Sequence, residues 1–119
     1  MADRSLPRAD FLELPVSDIE EAKLFYEQAF GWQLTAFGPS FACTMTGDVD
    51  VGLQADLAER SAAPLIVIQV ADLEAAERAV GAAGGTITRP TFAFPGGQRF
   101  HFRDPAGNEL AAHRPEPHV

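Results

Sequence analysis

The chain has 119 residues, 46 % of them hydrophobic, a formal net charge of −8 and a single cysteine, Cys43. That length and apolar content suit one domain with its own core. The charge argues against nucleic acid or an anionic membrane surface as a partner. No apolar run approaches the ~20 residues of a membrane span. A lone cysteine excludes an intrachain disulfide framework, and Met1-Ala2-Asp3-Arg4 lacks a charged-then-apolar signal pattern, so a cytoplasmic protein is expected.

In chain order, Leu12, Leu14 and Val16 alternate with Phe11, Glu13 and Pro15, which predicts a strand with two different faces. Ser17 or Asp18 then caps a helix bearing Ile19, Ala22, Phe25, Tyr26 and Ala29 at helical spacing, and Gly31 ends it. The Phe25-Tyr26 pair reads as helix core. Three short strands are expected at about 33–38, 41–46 and 51–55, with Gly38-Pro39 and Gly47-Asp48 as turns. Cys43, between Ala42 and Thr44, reads as a small buried hydrophobe rather than a nucleophile.

Residues 56–64 form a connection, and the plan then repeats. A shift of 54 positions lays Val16 on Val70, Asp18 on Asp72, Glu20 on Glu74, Ala22 on Ala76, Ala29 on Ala83 and Gly31 on Gly85. Leu65 to Val70 is a strongly apolar strand, expected to be buried on both faces. Asp72 caps a helix bearing Leu73, Ala76, Ala79, Val80 and Ala83, which Gly84-Gly85 terminates. Strands are expected at about 86–89, 98–103 and 109–113, with an irregular segment over Thr91–Pro95 and a turn at Asp104-Pro105-Ala106-Gly107. Gly96-Gly97 reads as a hairpin turn and the tail, 114–119, as loose. The whole is one α+β domain, 1–119: a βαβββ unit over 9–55, the connection, a second over 65–113, and the tail. Curved mixed sheets around a cleft follow, since each helix covers one face of its sheet and leaves the other for a ligand.

Leu14-Pro15-Val16-Ser17-Asp18 with Phe25-Tyr26 and Phe30-Gly31-Trp32 resembles the opening unit of the vicinal oxygen chelate superfamily. That group holds the glyoxalases, the bleomycin-resistance proteins, the fosfomycin-resistance enzymes and the extradiol dioxygenases. Ala83-Gly84-Gly85 and the run Phe100 to Leu110 resemble its closing unit, so the likeness covers about 9–113. Many members bind a divalent metal through His, Gln and Glu. The resemblance puts one ligand seven residues before each capping Asp, at Phe11 and Leu65, and one seven residues after Asp104, at Ala111. The fourth falls in Val51–Leu53. None of these side chains offers a lone pair, so neither the metal nor any other cofactor is expected. A non-standard set of His101 and His113 with Glu13 or Glu109 is the alternative.

Strand alternation then predicts what lines the cleft. Phe11, Leu65, Val67 and Ala111 supply an apolar wall, and Glu13, Gln69, Arg99 and His101 polar handles. Trp32 and Phe92 or Phe94 are candidates for stacking. His101 falls where the resemblance to the fosfomycin-resistance enzymes implies a substrate contact. Three readings stay open. The first is a protein that sequesters a small organic molecule without metal, with a cationic or hydrogen-bond-donating ligand suited to Glu13. The second is a lyase, isomerase or dioxygenase, with Glu13 and His101 as acid–base candidates. The third is a regulatory or interaction module whose cleft is filled. The resemblance also implies a homodimer.

Overall fold

The computed structural model describes residues 5–94 and 96–116. The readings of Met1–Arg4, of Pro95 and of the tail beyond Glu116 lie outside these residues. The described residues divide into two compact units, one of residues 10–65 and one that joins residues 5–9 to those from 66 to 116. The elements are β1 (Arg8–Pro15), α1 (Ile19–Phe30), β2 (Thr35–Ala36), β3 (Phe41–Cys43) and β4 (Asp50–Gln54). Then follow β5 (Leu65–Gln69), α2 (Leu73–Ala82), β6 (Thr86–Phe94), β7 (Gly97–Arg103) and β8 (Glu109–Pro115). This is the predicted mixed α+β chain of two βαβββ units.

In the first unit the strands run in the order β2-β3-β4-β1, with β1 parallel to β4 and the other pairs antiparallel. Asp18 caps α1, its Oδ1 accepting from the Glu21 amide at 3.0 Å, and Gly31 closes it at φ 70°. Ile19, Leu34, Ala42 and Leu53 form the core under α1, with Leu14, Val16, Ala22, Tyr26 and Ala55 against it. Only Tyr26 of the Phe25-Tyr26 pair belongs there. Phe25 is exposed, as are Leu24 and Phe30, so the predicted assignment of both rings to the core is corrected. Trp32 stacks on Tyr26 at 5.0 Å, at the C-terminal end of α1, so one face of its ring is already taken.

The β3–β4 connection is held by one carboxylate. Asp50 accepts from the Thr44 and Thr46 hydroxyls at 2.7 and 2.8 Å and from the amides of Thr46 and Gly47 at 2.8 and 3.0 Å. Burial pulls its carboxyl up, but these hydrogen bonds outweigh it and hold Asp50 below the usual carboxylate range.

The second unit repeats the plan. Its strands run β5-β8-β7-β6, with β5 parallel to β8. Asp72 caps α2 by accepting from the Ala75 amide at 3.0 Å. Val70, Leu73, Phe100 and Ala112 form the core, with Ile68, Ala76, Val80, Ile87 and Phe102 around them. Three expectations change here. Ile66 is 43 % exposed, so β5 is not buried on both faces along its whole length. The irregular segment over 91–95 is instead a continuation of β6. Its pairing with β7 shifts register between Ile87 and Arg89 and again between Arg89 and Phe92. Bulges absorb the irregularity, and Pro90 is tolerated because β6 pairs on one side only. Arg114 and Pro115, expected in a loose tail, belong to β8 and pair with Gln98 and Gly97. The turn at 104–107 is as predicted, with Gly107 at φ 94° and Asp104 accepting from both the amide and the side chain of Asn108 at 2.9 Å.

Candidate functional site

In each unit one sheet face meets the helix, and the other carries the side chains picked out by alternation. In the first unit Leu14, Ala42 and Leu53 lie under α1. Phe11 and Glu13 are offset from Leu14 by odd steps, so they project from the opposite face. Register puts Glu13 and Cys43 both opposite Gly52. A methyl group placed on Gly52 would come within 2.5 Å of the Phe11 ring and 2.9 Å of the Phe41 ring, so the two rings close over a position that only glycine leaves open. Glu13 is buried. Cys43 is buried too, with its thiol toward Met45 Sδ at 3.7 Å. Burial, and then the charge of Asp50, push the thiol up from its ordinary range, which suits a packed hydrophobe and not a nucleophile.

In the second unit Phe100 and Ala112 lie in the core under α2. Arg99 and His101 therefore face the other way. Their register partners on β8 are His113 and Ala111, and Ala111 and His113 pair in turn with Val67 and Gln69 of β5. On the other side of β7, Phe92 is opposite Arg99 and Arg89 is opposite His101. So β5, β6, β7 and β8 bring Val67, Gln69, Arg99, His101 and Ala111 to one face. Leu65 is two residues before Val67 on the same strand and is likewise buried.

The middle of this face is polar and yet enclosed. Arg99 is 7 % exposed and His101 5 %. The Phe92 ring is 5.7 Å from the His101 ring. The Arg99 guanidinium lies 5.5 Å from the centre of Phe92 and 5.3 Å from that of Phe94, and Arg89 lies 3.5 Å over Phe92. Glu109 reaches in from the start of β8, its Oε2 3.9 Å from His101 Nδ1. Thr88 Oγ1 donates to that same Oε2 at 3.0 Å. Arg89, Thr88 and the part played by Glu109 escape a reading of the sequence, because the bulges in β6 obscure its facing and Thr88 meets Glu109 only across β7.

The metal expected of metal-dependent members can be tested against these residues. Phe11 and Gly52 offer an aromatic ring and no side chain in the first unit, and Leu65 and Ala111 are buried aliphatic groups. None can donate to a cation, so these positions do not fit the metal. Among the described residues no group of three or more His, Cys, Asp or Glu side chains is placed to hold one, the set of His101, His113 and Glu109 included. A shallow depression of about 400 Å³ runs along α1, lined by Asp18, Glu20, Glu21, Lys23, Leu24 and Glu27. It lies along the helix and not on the opposite sheet face of the first unit, and apart from Leu24 its lining is charged.

Solved structures of the same architecture span a range of chemistry. A hypothetical protein from Bacillus halodurans C-125 is 16 % identical, with a TM-score of 0.77 over 97 % of this chain and 99 % of that one. Methylmalonyl-CoA epimerase from Mycobacterium tuberculosis is 17 % identical, with a TM-score of 0.73 over 98 % of this chain and 94 % of that one. The Mn(II)-bound glyoxalase from Novosphingobium aromaticivorans is 21 % identical, with a TM-score of 0.66 over 92 % of this chain and 40 % of that one. These likenesses show the fold alone. No curated protein matches the sequence. The model of the Glyoxalase/Bleomycin resistance protein/Dioxygenase superfamily matches residues 8–112. With the paired βαβββ units, that match makes the chain a member of this superfamily.

Proposed function

We propose that the protein binds a small organic molecule on the sheet face of Val67, Gln69, Arg99, His101 and Ala111, without the divalent metal of its metal-dependent relatives. The observation that carries this is the burial of Arg99 and His101 on the face turned away from α2. Charged and polar side chains are expensive to bury, and a face built only for stability would be apolar. Val67 and Ala111 give a ligand apolar contact, Phe92 and Phe94 a stacking surface, and Arg99 and His101 orient its polar group. Beside the donor group expected from Glu13, the ligand carries a hydrogen-bond acceptor, which the Arg99 guanidinium N–H groups recognise. Phe11, Glu13 and Leu65 remain proposed contacts, each open to test by its own substitution.

The test is a fragment screen read by amide and methyl NMR shifts. Hits should move Val67, Arg99, His101 and Ala111, and His101→Ala should weaken the best of them about tenfold, the worth of one hydrogen bond of ~1–1.5 kcal/mol. Hits that map elsewhere, or bind His101→Ala as tightly, would sink the proposal. A catalytic reading, with His101 moving a proton, has the nearby Glu109 carboxylate in its favour.

We also propose a homodimer in the cytoplasm. The lone buried Cys43 suits a reducing compartment, and no helix among the described residues is long and apolar enough to cross a membrane. Exposed Leu24, Phe25 and Phe30 on α1 favour self-association. Sedimentation at micromolar concentration should give twice the 12.8 kDa chain mass, and a species of 12.8 kDa would refute the dimer.

A further inference from the structure

We infer that Glu109, pinned by Thr88, is a positioning residue that fixes which nitrogen of His101 faces a ligand. The inference rests on the ligand-binding reading for its purpose, but its geometry is independent of it. Strand order places β7 between β8 and β6, so the Thr88–Glu109 hydrogen bond passes across the strand that carries His101. That bond draws the carboxylate over β7, where its Oε2 comes within 3.9 Å of Nδ1. Phe92 limits ring rotation from the β6 side.

At this separation the contact is electrostatic rather than a hydrogen bond. In a neutral imidazole it favours the proton on Nδ1, because that N–H dipole then points at the carboxylate. Nε2 is thereby the lone-pair nitrogen, able to accept a hydrogen bond or a proton from a ligand. Without a directing group a neutral imidazole in water prefers the opposite tautomer, so the arrangement has a distinct signature. Among the described residues of these strands, the other charged or titratable groups on this face are Arg99 and Arg103 of β7, Arg89 of β6 and His113 of β8. Arg89 and Arg99 lie over Phe92, and Arg103 donates to the Gly107 carbonyl at 3.3 Å. Cationic groups would favour a lone pair, not a proton, on a nitrogen facing them, so they cannot replace Glu109 in this role.

The experiment is a long-range proton–nitrogen correlation spectrum of the full chain without ligand, at alkaline pH. The His101 signals are assigned by their loss in His101→Ala. The wild-type ring should be mainly protonated on Nδ1. Glu109→Ala should make Nε2–H the major form. Glu109→Gln, which keeps the side-chain length if the smaller residue loosens β8, should move the ratio the same way. A wild-type ring protonated on Nε2, or a ratio unmoved in both variants, overturns the inference. Neither outcome bears on affinity, whereas ligand binding that survives His101→Ala would defeat the ligand reading and leave the tautomer intact.

Discussion

Phe100→Ala will lower the free energy of unfolding by about 3–5 kcal/mol, the cost of truncating a fully buried aromatic ring. Phe100 is fully buried at the centre of the second unit's core, between α2 and the sheet. Val70, Leu73 and Ala112 surround it, with Ala76, Val80, Ile87 and Phe102 beyond. Truncation removes a ring's worth of contact, and the neighbours cannot close the gap, because Val70 and Leu73 flank the Asp72 cap and Ala112 is held in the β7–β8 ladder. Chemical denaturation reads the loss as a fall in midpoint at unchanged slope. A loss below about 0.5 kcal/mol, within the range of surface substitutions, would show that α2 does not pack on this face.

Leu53→Ala will cost about 2–5 kcal/mol by the same route in the first unit. Leu53 is fully buried on β4, paired with Leu14 on one side and Ala42 on the other, and it joins Ile19 and Leu34 under α1. Its chain neighbour Gly52 projects to the opposite face. The pair therefore separates two properties of one strand, with stability carried by Leu53 and the shape of the ring-lined face by Gly52. Denaturation of Leu53→Ala beside Phe25→Ala makes the comparison, since Phe25 lies exposed on α1 and its loss should fall within about 0.5 kcal/mol. Equal losses for the two would contradict the core assigned to α1.

The faces of the strands were legible in the sequence because a period of two is a hard geometric constraint. Once Phe100 and Phe102 are assigned to the helix side, Arg99 and His101 have only the other side to occupy. The Asp72 cap was legible as well, and the first cap was narrowed to Ser17 or Asp18, since an Asp three residues before an amide it can reach is a local device. What failed was non-local or depended on packing. β2, read as about six residues, pairs over two, because strand length depends on the partner's length, and β3 itself pairs over three residues. The strand read as ending at Arg89 continues instead, since an edge position and two register shifts carry β6 through Pro90 to Phe94. Trp32 looked available for a ligand, but its stacking on Tyr26 follows from the way the chain leaves α1. The Thr88–Glu109–His101 arrangement needs the strand order β8-β7-β6, which alternation does not encode.

The ligand binding proposed for this chain does without the divalent metal of the metal-dependent relatives. It is tested most directly by measuring fragment binding on protein treated with a chelator, and again after adding nickel, zinc, iron(II) or manganese. The dissociation constant should be the same in both, with shifts at Arg99 and His101 and no tight metal uptake by calorimetry. Binding that appears only after one metal ion per chain is restored, and that His101→Ala abolishes, would contradict it.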